Sequence, residues 1–168
     1  MTTPAEPQVW IAEADEAETV ARLLIAFRDS LGADWPSDNA FLAGVERLLD
    51  DRNTEFVLGA PTPDSAPAGV VQLRVRHSIW RAGGDALIED VYVDPGARGN
   101  GLGRALVQYA LDYARVERGC RRAELDVNEA NEPALRLYES LGFSAGRAAF
   151  DGRDLFMKLP LVEPGPAG

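Results

Sequence analysis

The 168-residue chain has a single cysteine, Cys120, and a single histidine, His77. One cysteine cannot form an internal disulfide, which fits a reducing, cytoplasmic setting. The same scarcity excludes zinc clusters built from Cys and His, and no metal is expected. A catalytic triad around His77 is allowed by count, but no nucleophile elbow accompanies it. No apolar run approaches the roughly 18–20 residues that a membrane span needs. The opening MTTPAEPQVW has no basic region followed by an apolar stretch, so no secretory signal is expected. Basic residues are also in deficit, with 17 Lys plus Arg against 27 Asp plus Glu and a net charge of -10. A surface that negative repels phosphate backbones and anionic lipids, which argues against nucleic-acid and membrane partners.

What the chain does have is the composition of a soluble globular protein, 46% hydrophobic and 26% charged. One domain over 1–168 is expected, with 1–7 and 160–168 as loose tails. The negative charge is uneven. Residues 1–60 hold 12 acidic and 4 basic side chains, whereas the remainder is nearly balanced. Such a segment reads either as a solubility device or as an electrostatic funnel for a cationic ligand.

Periodicity and turn chemistry predict the order β-α-α-β-β-β-α-β-α-β-β, a mixed α/β domain. Gln8–Ala12 reads as a strand. Asp15 and Glu18 have capping-box spacing ahead of a helix with Ala17, Val20, Ala21 and Leu24 on one face. Ser37 or Asp38 caps a second helix that turns Phe41, Val45 and Leu48 inward. Strands follow at Thr54–Leu58 and Val70–Ile79. A turn at Ala82–Asp85 then leads into a strand over Ala86–Val93. Gly101–Arg118 reads as a long amphipathic helix, Ala123–Val127 as a half-buried strand, and Asn131 as the cap of a helix ending at Gly142. A hairpin, Arg147–Phe150 with Arg153–Leu159, closes the chain.

Two stretches carry chemistry. In the first, Val91-Tyr92-Val93 ends a strand and Arg98-Gly99-Asn100-Gly101-Leu102-Gly103-Arg104 turns directly into a helix. Bare glycine backbone and the free N–H groups of a helix start make an anion site suited to a phosphate or pyrophosphate. Neither nucleotide pattern fits, since Arg104 stands where the Walker loop needs Lys and where the dinucleotide fingerprint needs a third Gly. The second stretch runs from Asn131 through Tyr138 to Leu141-Gly142-Phe143.

Together these stretches resemble the GNAT superfamily of acetyl-CoA-dependent N-acetyltransferases. Arg98, Gly101 and Gly103 match its Arg/Gln-x-x-Gly-x-Gly/Ala turn, and Asn131 with Tyr138 matches its second region. The resemblance implies a GNAT-like fold with a central, mostly antiparallel, mixed sheet flanked by helices. It implies that the pyrophosphate of coenzyme A rests on Gly99 to Arg104 and that pantetheine pairs along Val91 and Val93. Asn131 would contact the pantetheine arm, or serve as a plain helix cap. The reaction implied is direct transfer of acetyl from acetyl-CoA to a primary amine, without metal.

Three groups would carry that transfer. A base must take a proton from the ammonium, backbone N–H groups near Val91 to Val93 would receive the developing oxyanion, and an acid would serve the leaving thiolate. Tyr138 matches the family's acid, with a core role as the alternative. Glu89, ahead of Val91, and Asp126, five residues before Asn131, are both candidates for the base; Glu89-Asp90 could equally be a solvated acidic pair. Cys120 reads as an apolar filler and His77 as a surface or rim residue. The alternative function is a non-catalytic acyl-CoA-binding or sensing domain, which would need neither Tyr138 nor the acids. The acceptor is expected to be a small cationic amine or a peptide N-terminus, and the family's habits admit a homodimer.

Overall fold

The computed structural model describes residues 5–145, 152 and 154–162. By internal contact the chain divides into two compact units, Met1–Asp126 and Val127–Gly168.

In the first unit, β1 (Gln8–Ile11), β2 (Thr54–Ala60), β3 (Gly69–Ser78), β4 (Gly83–Val93) and β5 (Cys120–Leu125) lie side by side in chain order. Every pairing is antiparallel except β4 with β5, which is parallel. The mixed, mostly antiparallel sheet expected from the sequence is therefore present. Helices α1 (Ala17–Ser30) and α2 (Asp38–Leu49) precede β2, and α3 (Leu102–Val116) joins β4 to β5.

Strand alternation decides which helix each side chain meets. Leu58, Val70 and Tyr92 form one row across the sheet and share a buried core with Val20, Leu23 and Leu24 of α1 and Val45 of α2. Phe27 of α1 stacks on Tyr92 with ring centroids 5.5 Å apart. The opposite face belongs to α3. There a Cβ at Gly59 would lie 2.9 Å from both Leu102 and Leu106, and one at Gly69 would lie 2.6 Å from Leu106. Glycine at these two strand positions lets the helix approach the sheet backbone.

Several boundaries differ from the sequence reading. The first helix is not capped by Asp15 and Glu18. Instead Glu16, at the end of a 3-10 turn over Ala14–Glu16, accepts from the Glu13 N–H and from the Trp10 indole, both at 2.9 Å. The turn before β4 falls at Ile79–Arg81 and is closed by Ala82 at φ 51, so Gly83 and Gly84 lie in the strand. Crowding explains the glycines, because a Cβ on Gly84 would meet Cys120 Sγ at 2.9 Å. β5 begins at Cys120 and ends at Leu125, leaving Asp126 and Val127 beyond it. In α3 the buried positions are Leu102, Leu106, Val107, Ala110 and Ala114, while Tyr109 is exposed.

The second unit contains α4 (Glu132–Ser140), with Pro133 in its first turn. Asn131 Oδ1 accepts from Ala134 N at 3.3 Å, so the expected cap is formed. Of the closing hairpin, Arg147–Phe150 lies outside the described residues. Residues 154–159 are described and exposed, and they pair with no strand among the described residues.

Candidate active site

The β4–β5 ladder ends at Ile88 paired with Leu125, while β4 continues against β3 as far as Val93 paired with Gly69. Residues 89–93 therefore have one edge with no strand partner among the described residues. Asp94 N–H donates to Ala68 O at 2.7 Å, on the β3 side. Antiparallel alternation then turns the N–H groups of Val91 and Val93 toward the open edge, and those of Tyr92 toward β3. Val93 O, on the open edge, accepts from Arg98 Nε at 2.8 Å. The Arg98 guanidinium lies 5.8 Å from the centroid of the Tyr92 ring.

The turn that follows is built on two left-handed residues, Gly99 at φ 85 and Gly101 at φ 84. A Cβ at either would meet nothing within 4 Å, so these glycines serve backbone conformation and not internal packing. Gly101 is the N-cap of α3 and supplies no side-chain cap. The first helical bond runs from Ala105 N to Gly101 O, so the N–H groups of Leu102 and Gly103 have no carbonyl partner within the helix. Arg98, Asn100 and Arg104 are exposed around this start, whereas the Leu102 side chain is in the core. Only the backbone of Leu102 faces outward with the turn.

Both candidate bases stand where the ladder parts. Glu89 and Asp126 are each the first residue past the Ile88–Leu125 pair. Asp126 is exposed. Glu89 is the extra residue of a bulge, since Gln72 pairs with Asp90 and Leu73 pairs with Ile88. Bulges redirect side chains. Here Gln72 Nε2 donates to Glu89 Oε2 at 2.8 Å, and Arg74 Nε lies 3.4 Å from the other oxygen.

Asp90, weighed at first only as half of an acidic pair, faces a cavity of about 220 Å³ beneath α1 and α2. Burial, and secondarily the charge of Glu89, push its carboxyl above the ordinary aspartate range. The sequence carried one signal for this place: Gln72 interrupts the apolar run Val70-Val71-Gln72-Leu73 and is buried.

Part of the acidic segment is paired at the surface of the fold. Arg28 Nη2 lies 2.7 Å from Asp29 and Nη1 2.9 Å from Asp38. Asp51 accepts from Asn53 N and Thr54 Oγ1, and these bonds hold its carboxyl below its ordinary range. Three acids of the 1–60 segment thus have partners of their own.

In the second unit, Tyr138 lies on α4, is buried, and meets Phe143 edge-to-face at 6.0 Å. Burial raises its phenol above the ordinary value, which keeps it protonated at neutral pH. His77 is exposed, and partial burial raises the Cys120 thiol, consistent with a packing role. Among the described residues no group of His, Cys, Asp and Glu could hold a metal, and no helix is long and apolar enough to cross a membrane.

Comparison with known proteins gives this geometry its context. Residues 18–143 match the model of the acetyltransferase (GNAT) family. Streptothricin acetyltransferase of Streptomyces lavendulae is 37% identical over 147 residues, covering 82% of this chain and 70% of the relative. Peptidyl-lysine N-acetyltransferase YjaB of Salmonella typhimurium is 34% identical over 145 residues, covering 84% of this chain and 87% of the relative. Matches to mycothiol acetyltransferases are shorter; the chain spans 26% of the length of that from Salinispora tropica. A solved structure from Arthrobacter sp. FB24, named for a proposed acetyltransferase activity, superposes with TM-score 0.80 at 28% identity, covering 96% of this chain and 99% of that one. The chain belongs to the acetyltransferase (GNAT) family, as an acyl-CoA-dependent N-acetyltransferase.

Proposed function

We propose that this enzyme transfers the acetyl group of acetyl-CoA to the primary amine of a small acceptor that is an ammonium at neutral pH. The observation that carries the reading is the parting of β4 from β5 after Ile88–Leu125. It sets two carboxylates beside a strand edge whose N–H groups have no strand partner among the described residues, directly ahead of a helix start without a side-chain cap. The family match runs from 18 to 143, across both compact units, which supports treating 1–168 as one catalytic domain.

The residues present fit the co-substrate. Gly99 and Gly101, at positive φ with open space where a Cβ would stand, and the N–H groups opening α3 suit a pyrophosphate. Arg98 holds the end of β4 through Val93 O, and Asn100, Gly103 and Arg104 complete the turn. Val91 and Val93 present N–H groups to the pantetheine arm and to negative charge developing in the reaction. Tyr92 acts through the core, and Asn131 caps α4 while keeping its amide NH₂ for the same arm. When bound, acetyl-CoA supplies an activated acetyl thioester.

Glu89 is the preferred base. Gln72 and Arg74 orient its carboxylate, which takes a proton from the acceptor ammonium through water. Asp126, exposed at the same parting of the strands, is the second candidate. Tyr138 Oη, protonated at neutral pH as an ordinary phenol is, is the proton donor to the leaving sulfur.

A turnover screen with acetyl-CoA across alkylamines, polyamines, aminoglycosides, amino acids and peptide N-termini tests the reading. Tyr138→Phe should keep acetyl-CoA binding and lower kcat by roughly 10²–10⁴ wherever chemistry limits the rate. Normal kcat in that variant would return Tyr138 to the core.

A further inference from the structure

Phe56, Gln72 and Asp90 occupy one row across β2, β3 and β4. That row is the floor of the cavity whose roof is Leu24 of α1 and Phe41, Gly44, Val45 and Leu48 of α2. Asp90 is the one ionisable side chain among the lining residues. It makes no ion pair or hydrogen bond with any described residue. By contrast Glu89, its neighbour, is engaged by Gln72 and Arg74, and Asp29 and Asp38 by Arg28. A half-buried carboxylate without a counter-ion, at the foot of an apolar cavity, lacks a cation.

We infer that this cavity takes the apolar body of a monoammonium acceptor, an alkyl or small aryl amine, with Asp90 holding the ammonium and the apolar lining excluding a second charge. The inference rests on the acetyltransferase reading for its use of the bound amine, but not for the binding itself. About 220 Å³ is below the roughly 300–1,000 Å³ of sites for drug-sized ligands, so the occupant is small or is the end of something larger. A second ammonium inside would find no carboxylate among the lining residues and would lose its hydration without compensation. The raised Asp90 carboxyl fits the same picture, because an ammonium against it restores the ionised form. The bulge brings the Glu89 carboxylate to the Gln72 side of the sheet. One proton then leaves the nitrogen held at Asp90 and passes through water to Glu89, and the neutral amine remains as nucleophile.

Three probes of nearly equal length separate the terms: hexylamine, 1,5-diaminopentane and 1-hexanol. Binding is read by calorimetry without acetyl-CoA, and kcat/KM is read with it. Two variants accompany the full-length wild type, each checked for folding by its thermal transition. Asp90→Asn removes the charge, and Gly44→Leu grows a side chain where a Cβ meets nothing within 4 Å. Hexylamine should bind at least tenfold more tightly than either other probe. Both variants should weaken it by tenfold or more, and in turnover the loss at Asp90→Asn should fall mainly on KM. Equal binding of hexylamine and hexanol, a preference for the diamine, or indifference to Gly44→Leu would each overturn the inference, even if another amine is acetylated. Binding that follows the expected pattern without any acetylation would leave the cavity assignment standing and sink the acetyl-transfer reading.

Discussion

Of the three carboxylates on strand β4, Asp85 and Asp90 meet opposite fates. Asp85, in the half of the strand paired on both sides, is 1% exposed. Arg122 Nη2 lies 3.1 Å from it, with Arg81 at 3.6 Å and Arg76 at 3.7 Å. Asp90, five residues on, lies where the strand has lost β5 and has no cation partner among the described residues. A carboxylate buried among guanidiniums is a structural element, because removing it strands several positive charges. One half-buried without a partner costs stability, and it leaves a place where a bound cation can restore the charge balance. The comparison separates a half of β4 that holds the sheet together from the half proposed to carry the chemistry.

The experiments that would sharpen or break this division differ in size. The largest effect is expected in the working half. Glu89→Gln should lower kcat by roughly 10²–10⁴, and the loss should shrink as pH rises and the amine deprotonates unaided. Asp126→Asn, measured beside it, should show a smaller loss with the wild-type pH profile. The reverse pattern would move the base to Asp126, just past β5.

In the structural half, Asp85→Ala should cost about 3–5 kcal/mol in urea unfolding, toward the lower figure because its arginines are partly exposed. The folded fraction should keep its KM for acetyl-CoA. A stable but inactive Asp85→Ala would mean that the paired half also serves the chemistry.

Just past the strand, Gly101→Val should weaken acetyl-CoA binding by tenfold or more, about 1.4 kcal/mol, in calorimetric titration. The cause is conformational, since φ 84 is a backbone that valine resists while open space surrounds the position. Unchanged affinity would make the turn merely structural.

The smallest effect has the opposite sign to Asp85. A folded-state carboxyl raised above about 3.9 binds protons that the unfolded chain has already released. Its contribution therefore favours the fold below the unfolded value and is lost as pH rises through the folded one. Asp90→Asn should consequently raise Tm slightly at pH 7, with the difference closing as the pH is lowered toward 4. A lower Tm at neutral pH would show that Asp90 has a stabilising partner, and would erase the contrast with Asp85.

Much of this was legible in the sequence. Helical spacing of Leu102, Leu106 and Ala110, the alternation along the strands and the glycine turn with its following helix depend on neighbours in the chain, and local rules capture neighbours. Arg98, Gly101, Gly103, Asn131 and Tyr138 stand out as candidates by spacing and resemblance alone. What the tertiary structure decided were relations between distant segments. Glu16 rather than Glu18 completes the first cap because Trp10 donates to it. Gly83 and Gly84 lie in a strand, where Arg121 and Cys120 would crowd any side chain in their place. Asp29 and Asp38 lose their claim on a cationic ligand to Arg28, whereas Asp90 gains one from an apolar cavity assembled by α1, α2 and three strands. Composition counts charges, but burial and partners determine which of them remain available, and those depend on residues brought together only by folding.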